Sequence, residues 1–130
     1  MPTLNLKVTP PIDAAQAQSL AAALTTLTAD VLGKRREVTA VTIESLPASH
    51  WFVAGQPAAR ATAQLQIHTN TTEQKARFVA AAFALLQSEL APDGALEPAS
   101  YVQVLALAAP DWGYGGRTQA ARQAERAAAA

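Results

Sequence analysis

A proline stands at position 2, directly ahead of the alternating run Thr3-Leu4-Asn5-Leu6-Lys7-Val8. If Met1 is removed, the Pro2 nitrogen becomes a secondary amine with a lone pair, a base that no internal proline can supply. An ordinary α-amine titrates near about 8, and a base that moves protons at neutral pH works best when tuned towards about 7. An apolar pocket and neighbouring cations both disfavour the protonated form and shift the group in that direction. While Met1 is present the nitrogen is an amide and has no basicity. The plainer role is a proline that starts a strand, where its missing N–H costs nothing, and periodicity alone favours that plainer role.

Other chemistries find little support. With no cysteine in the chain, disulfide scaffolds, thiolate zinc sites and cysteine nucleophiles are excluded. His50 and His68 lie apart and form no pair at metal-ligand spacing, so no metal site is expected. Gly113-Tyr114-Gly115-Gly116 looks superficially like a phosphate loop, but it lacks the lysine-serine/threonine pair and the strand-to-long-helix setting. No Ser-His-Asp arrangement is supported by spacing. Ten basic residues balance ten acidic ones, so nothing in the total charge points to nucleic acid or an anionic membrane as partner. No apolar stretch approaches the ~20 residues of a membrane span. Residues 1–12 lack the basic start and apolar run of a signal peptide. The expectation is a soluble cytoplasmic protein.

The elements that would hold Pro2 in place follow from periodicity. Leu4, Leu6 and Val8 give one apolar face of a strand, which Pro10-Pro11 stops. Asp13 can cap a helix, with Gln16 at the capping-box spacing. Ala17, Leu20, Ala21, Leu24, Leu27, Val31 and Leu32 form the stripe of a helix of about five turns, ended by Gly33. Val38 to Glu44 reads as a second strand. A loop from Ser45 to Ala59 carries Trp51, Phe52 and Val53, apolar residues that need burial.

The pattern then restarts. Ala63, Leu65 and Ile67 repeat Leu4, Leu6 and Val8 at a shift of 59. Asn70 and Glu73 supply helix-start chemistry, Phe78 to Leu90 carries a second helical stripe, and Tyr101 to Leu105 is a fourth strand. The 130 residues therefore read as one α/β domain over 2–117, built from two halves, 2–44 and 60–107, with a tail at 118–130 that is a short helix or disorder. Each half is a β-α-β unit with a right-handed crossover, giving a four-stranded mixed sheet with two helices on one face. A split, ferredoxin-like topology has the same element order. The open sheet face, with Tyr101 and Gln103 on it, calls for cover by other subunits. An alanine-rich chain with seven aromatic residues has a thin core, which points the same way.

These features together resemble the tautomerase superfamily, in its macrophage migration inhibitory factor-like branch or as a fused pair of 4-oxalocrotonate tautomerase-like units. The resemblance rests on Pro2, Gly33-Lys34 followed by Ala40-Val41, His50-Trp51 with Val53-Ala54-Gly55, Glu73-Gln74-Lys75, Tyr101-Val102-Gln103 and Trp112-Gly113-Tyr114-Gly115-Gly116. It covers residues 2 to about 117. It implies a homotrimer with active sites at subunit boundaries and no cofactor. It also implies that Pro2 is the catalytic base and that Lys34 binds a substrate carboxylate or carbonyl, although a lysine after a helix is equally suited to the helix dipole. Arg60 lies near the place Pro2 occupies in the first half, where it could clamp a carboxylate or simply be solvated at a strand start.

Tyr101 and Gln103 would line the pocket of a neighbouring subunit or pack the interface. Trp51, Phe52 and Trp112 would form apolar walls or be buried structurally. Arginines that bacterial relatives carry are matched here by Thr42 and Asn70, which puts a dicarboxylate substrate in doubt. The implied activity is keto–enol tautomerisation of a small carbonyl or 2-keto acid. Alternatives are hydration, dehalogenation or decarboxylation, for which Glu44 is the nearest water-activating acid, or a catalytically silent trimer that serves interaction.

Overall fold

The computed structural model describes residues 2–70 and 73–129. The first unit runs β1 (Thr3–Thr9), α1 (Ala14–Leu32) and β2 (Ala40–Ser45), and the second runs β5 (Thr62–Thr69), α2 (Lys75–Leu90) and β6 (Tyr101–Ala106). The sheet order is β2-β1-β5-β6. Strands are parallel within each unit, while β1 and β5 are antiparallel where the units meet. Each crossover joins neighbouring strands, so the duplicated β-α-β arrangement forms and the split topology does not.

The core is built from the faces that the alternation predicts. Leu4, Leu6 and Val8 on β1, with Ala63, Leu65 and Ile67 on β5, pack against Leu20 and Leu24 of α1 and Phe78, Ala82 and Leu86 of α2. Each large apolar side chain buried in this way contributes roughly 1.5–3 kcal/mol. The opposite sheet face is polar and open. Tyr101 is 64 % exposed on it, and the Gln66 side-chain amide donates to Gln103 Oε1 at 2.7 Å.

The helix ends follow the expected chemistry at one site and depart from it at another. Asp13 Oδ1 accepts from the Gln16 backbone N–H at 2.8 Å, satisfying one of the donors left open at a helix start. The Gln16 side chain does not complete a capping box. It donates instead to the Glu89 carbonyl at 2.9 Å, tying the start of α1 to the end of α2. Asn70 does not cap the second helix either. Gln74, in the left-handed conformation, precedes α2 without a side-chain cap, and the Asn70 side chain accepts from Lys34 instead.

The loop after β2 is more ordered than its composition suggests. A single turn over Ala48–His50 leads into a hairpin of β3 (Phe52–Val53) and β4 (Gln56–Pro57). After β6 the same device recurs, with a turn over Ala109–Asp111 and a hairpin of β7 (Gly113–Tyr114) and β8 (Arg117–Thr118). The Trp51 carbonyl accepts from Ala58 N at 2.7 Å, and the Trp112 carbonyl from Gln119 N at 2.8 Å. The internal repeat therefore includes the hairpins. Beyond the second hairpin the tail is helical, as α3 (Gln119–Ala129), so the helix and not the disordered alternative is what forms there.

Candidate active site

Pro2 is buried at the start of β1. Its carbonyl accepts from Ala40 N at 3.2 Å, and its neighbour Thr3 stands opposite Ala40 on one side and His68 on the other. Pro2 is thus flanked by the segment entering β2 and the segment leaving β5. Val38 and Asn70, one from each, line a cleft of about 250 Å³. Lys34 and Arg35 come into it from the loop after α1, and Tyr114, Gln119 and Arg126 come into it from the second hairpin and α3.

Local structure explains these placements. Gly33 adopts φ 65° and its N–H donates to the Ala29 carbonyl, ending α1. That left-handed turn is cheap for glycine, and it sets Lys34 immediately beyond the helix. Lys34 Nζ donates to Asn70 Oδ1 at 2.8 Å. Burial lowers the pKa of this ammonium, since desolvation disfavours its charged form. Its hydrogen-bond partner is a neutral amide, so the charge is positioned without being neutralised. On the other wall, the Arg122 guanidinium lies 3.9 Å from the centroid of the Tyr114 ring and donates to the Tyr114 carbonyl at 2.9 Å. This stack fastens α3 to the hairpin.

Pro2 and Lys34 come together at one end of the sheet, whereas Arg60, Tyr101 and Trp51 lie at the other. The antiparallel β1–β5 register puts Thr62 beside Thr9, and Tyr101 opposite Gln64, which itself faces Lys7. Trp51 follows β2, whose last residue Ser45 pairs with Val8. Gln103 is on the open face between the two ends. Trp112 lines a hollow beside the cleft with Arg117, and its Nε1 is buried without a partner among the described residues. Arg117 is ion-paired to Glu125.

Arg60 borders a separate hollow of about 600 Å³ that also contains Ala61 and Asp93. At the shift of the repeat, Ala61 stands where Pro2 stands and Asp93 where Lys34 stands, so the second unit has neither the base nor the cation. Among the described residues no group of three or more histidines and carboxylates could hold a metal.

Tyr114, Gln119 and Arg126 line the cleft and are not among the candidates that the sequence suggests. The recurrence of Trp51 as Trp112 is the usable signal. It would have shown that the second hairpin must fall at the end of the sheet where β1 begins.

Residues 2–60 match the family described as Tautomerase enzyme. That span is the first β-α-β unit with its hairpin. No curated protein matches the chain. Among solved structures, one described as native fused 4-OT is 27% identical, covering 92% of this chain and 97% of that one at a TM-score of 0.74. A wild-type fused 4-OT asymmetric trimer is 23% identical, covering 93% and 98%, with a TM-score of 0.79. A macrophage migration inhibitory factor-like protein from Entamoeba histolytica is 16% identical, covering 90% and 97%, with a TM-score of 0.73. The first unit thus matches the Tautomerase enzyme family in sequence, and about nine-tenths of the chain shares its fold with fused 4-OT and macrophage migration inhibitory factor-like structures.

Proposed function

We propose that this chain, once Met1 is removed, is a cofactor-independent tautomerase of small carbonyl or 2-keto acid compounds, working in the cytoplasm. The reading is supported by buried Pro2 at the start of β1, next to the two chain segments whose Val38 and Asn70 line the cleft, where Lys34 holds its charge against a neutral partner. Without Met1, the secondary amine would lie in surroundings that disfavour its charged form. It would take a proton from the carbon next to a carbonyl. The electron pair left behind would move onto the carbonyl oxygen as an enolate, and the protonated nitrogen would give its proton to that oxygen to form the enol; ketonisation of phenylenolpyruvate runs the same steps in reverse. Lys34 would stabilise the developing oxyanion. Positioned general-base catalysis of this kind contributes typically about 10²–10⁴-fold.

The same reading includes a homotrimer. Tyr101 and Phe52 are 64 % and 57 % exposed on a face and a hairpin that none of the described residues covers. A neighbouring copy would bring its own Tyr101, Gln103, Arg60 and Trp51 to the Pro2 end of this one. Mass spectrometry of the purified protein tests whether Met1 is absent, and a phenylenolpyruvate ketonisation assay then compares wild type with Pro2→Ala. Equal rates for the two proteins would sink the proline-base reading.

A further inference from the structure

We infer that α3 is a lid on the cleft beside Pro2, held shut by a polar clasp to the second hairpin and opened when that clasp is released. The inference rests on the proposed function only in taking this cleft for the site that substrate enters; its support lies in how α3 is attached.

The helix begins directly at the hairpin. Thr118, the last residue of β8, accepts from Ala121 N through its Oγ1 at 3.0 Å, and Gln119 N donates to the Trp112 carbonyl. From that start α3 packs chiefly on the turn over Ala109–Asp111 and on β8. Gln119 and Arg126 line the cleft together with Lys34 and Asn70. They are seven residues apart, a rise of about 10 Å, so some two turns of the helix border the opening.

The attachment is polar where a permanent element would be apolar. Gln119 is the only buried residue among those described in α3. It is 3 % exposed, and its Nε2 has no hydrogen-bond partner among the described residues. Arg122 Nε is in the same position. A buried donor without an acceptor burdens the closed state, and water would satisfy it once the helix lifts. Few buried apolar contacts mark a segment that opens locally. A helix of 11 residues is also marginal in water without its packing.

Two contacts hold α3 down. The Arg117 guanidinium meets the Glu125 carboxylate in a bidentate contact, with Nη1 donating to Oε2 at 2.6 Å. Arg122 stacks on the Tyr114 ring and donates to the Tyr114 carbonyl. Gly115, at φ 63°, makes room for that guanidinium, since a Cβ there would stand 2.8 Å from its Nη2. Both contacts join α3 to the hairpin, and neither joins it to α1 or β5. One force acts the other way. Closure brings Arg126 to a cleft that Lys34 and Arg35 already line. Arg35 lies 3.7 Å from Glu37, which offsets part of its charge, while the partner of Lys34 is the neutral Asn70 amide. Like charges on the two walls favour the open lid.

The chain has no cysteine, so Val38→Cys supplies a single thiol on the cleft wall. Its labelling is followed with iodoacetamide and with the bulkier N-(1-pyrenyl)maleimide, and the ratio of the two rates cancels any change in thiol ionisation. In this background Glu125→Gln and Arg122→Met should each raise the bulky-to-small ratio by about two- to fivefold, as loss of an exposed ion pair or cation stack allows. Arg126→Gln should lower the ratio, since it removes the charge that opposes closure. Asp93→Asn, at the other end of the sheet, should leave it unchanged. Hydrogen exchange read by mass spectrometry is the second measurement: α3 amides should lose protection in the two clasp variants while α1 amides keep theirs. The inference is overturned if either clasp variant keeps the parent ratio, if Arg126→Gln does not lower it, if Asp93→Asn raises it as much, or if α1 loses protection along with α3. Neither measurement reads turnover, so the outcome is separate from whether Pro2→Ala retains ketonisation.

Discussion

Lys34 reaches from the turn that ends α1 to Asn70 at the end of β5, donating to its amide oxygen at 2.8 Å, and this contact links the two repeat units beside Pro2. A carboxylate at position 70 would have neutralised the ammonium. The amide holds it in place and leaves its charge available to a substrate anion.

The depressed pKa of Lys34 gives opposite trends in affinity and stability. On the proposed function, the cation that would hold an anionic substrate is lost at lower pH than an exposed lysine would allow. KM for phenylenolpyruvate should therefore rise on the alkaline side, and Lys34→Arg should remove that rise. The unfolded chain keeps the lysine proton to higher pH than the folded one. Stability should consequently increase with pH between the folded and the ordinary lysine pKa. Initial rates and denaturant midpoints across that window check the two signs.

Phe78 is fully buried where α2 meets the sheet. Phe78→Ala should cost about 3–5 kcal/mol in urea unfolding, as large-to-small core changes do.

Gly113 is needed for close approach. A Cβ there would collide with the Arg117 carbonyl across the β7–β8 hairpin. Gly113→Ala should destabilise the protein by about 1–3 kcal/mol, in the range of overpacking changes. It should also raise KM, because Tyr114 and α3 are carried by that hairpin. Urea melts and steady-state kinetics on the variant read both effects.

Phe52 and Tyr101 test the proposed homotrimer. Placing a charge on each exposed aromatic, as Phe52→Glu with Tyr101→Glu, should reduce the mass seen by light scattering from three copies towards one. It should lower the ketonisation rate while circular dichroism is unchanged. A wild-type protein that is itself monomeric would count against this part of the reading.

Much of this was legible in the residues. The alternation at Leu4, Leu6 and Val8, repeated at Ala63, Leu65 and Ile67, gives both core strands and their duplication, because a one-faced sheet needs a period of two. Asp13 and Gly33 bracket α1 as their cap chemistry requires. The hairpins were harder to see. Each strand of β3, β4, β7 and β8 is two residues long, too short for periodicity, and only the tryptophans mark the repeat. The Asn70–Glu73 spacing suggested a capping box, yet the Asn70 side chain was taken by a lysine 36 residues away, a pairing that local spacing cannot reveal. Arg126 reaches the cleft only because the tail becomes a helix and Arg122 stacks on Tyr114.

The antiparallel meeting of β1 and β5 gives the chain two similar ends with different contents. Two identical short chains related by a two-fold axis would have to share every substitution at both ends. Joined in one polypeptide, the copies can differ, and they do: Pro2 of one unit corresponds to Ala61 of the other, and Lys34 to Asp93. On the proposed function, the Ala61 end is free of the demands of chemistry, and its surface is open to selection for contact with a neighbour.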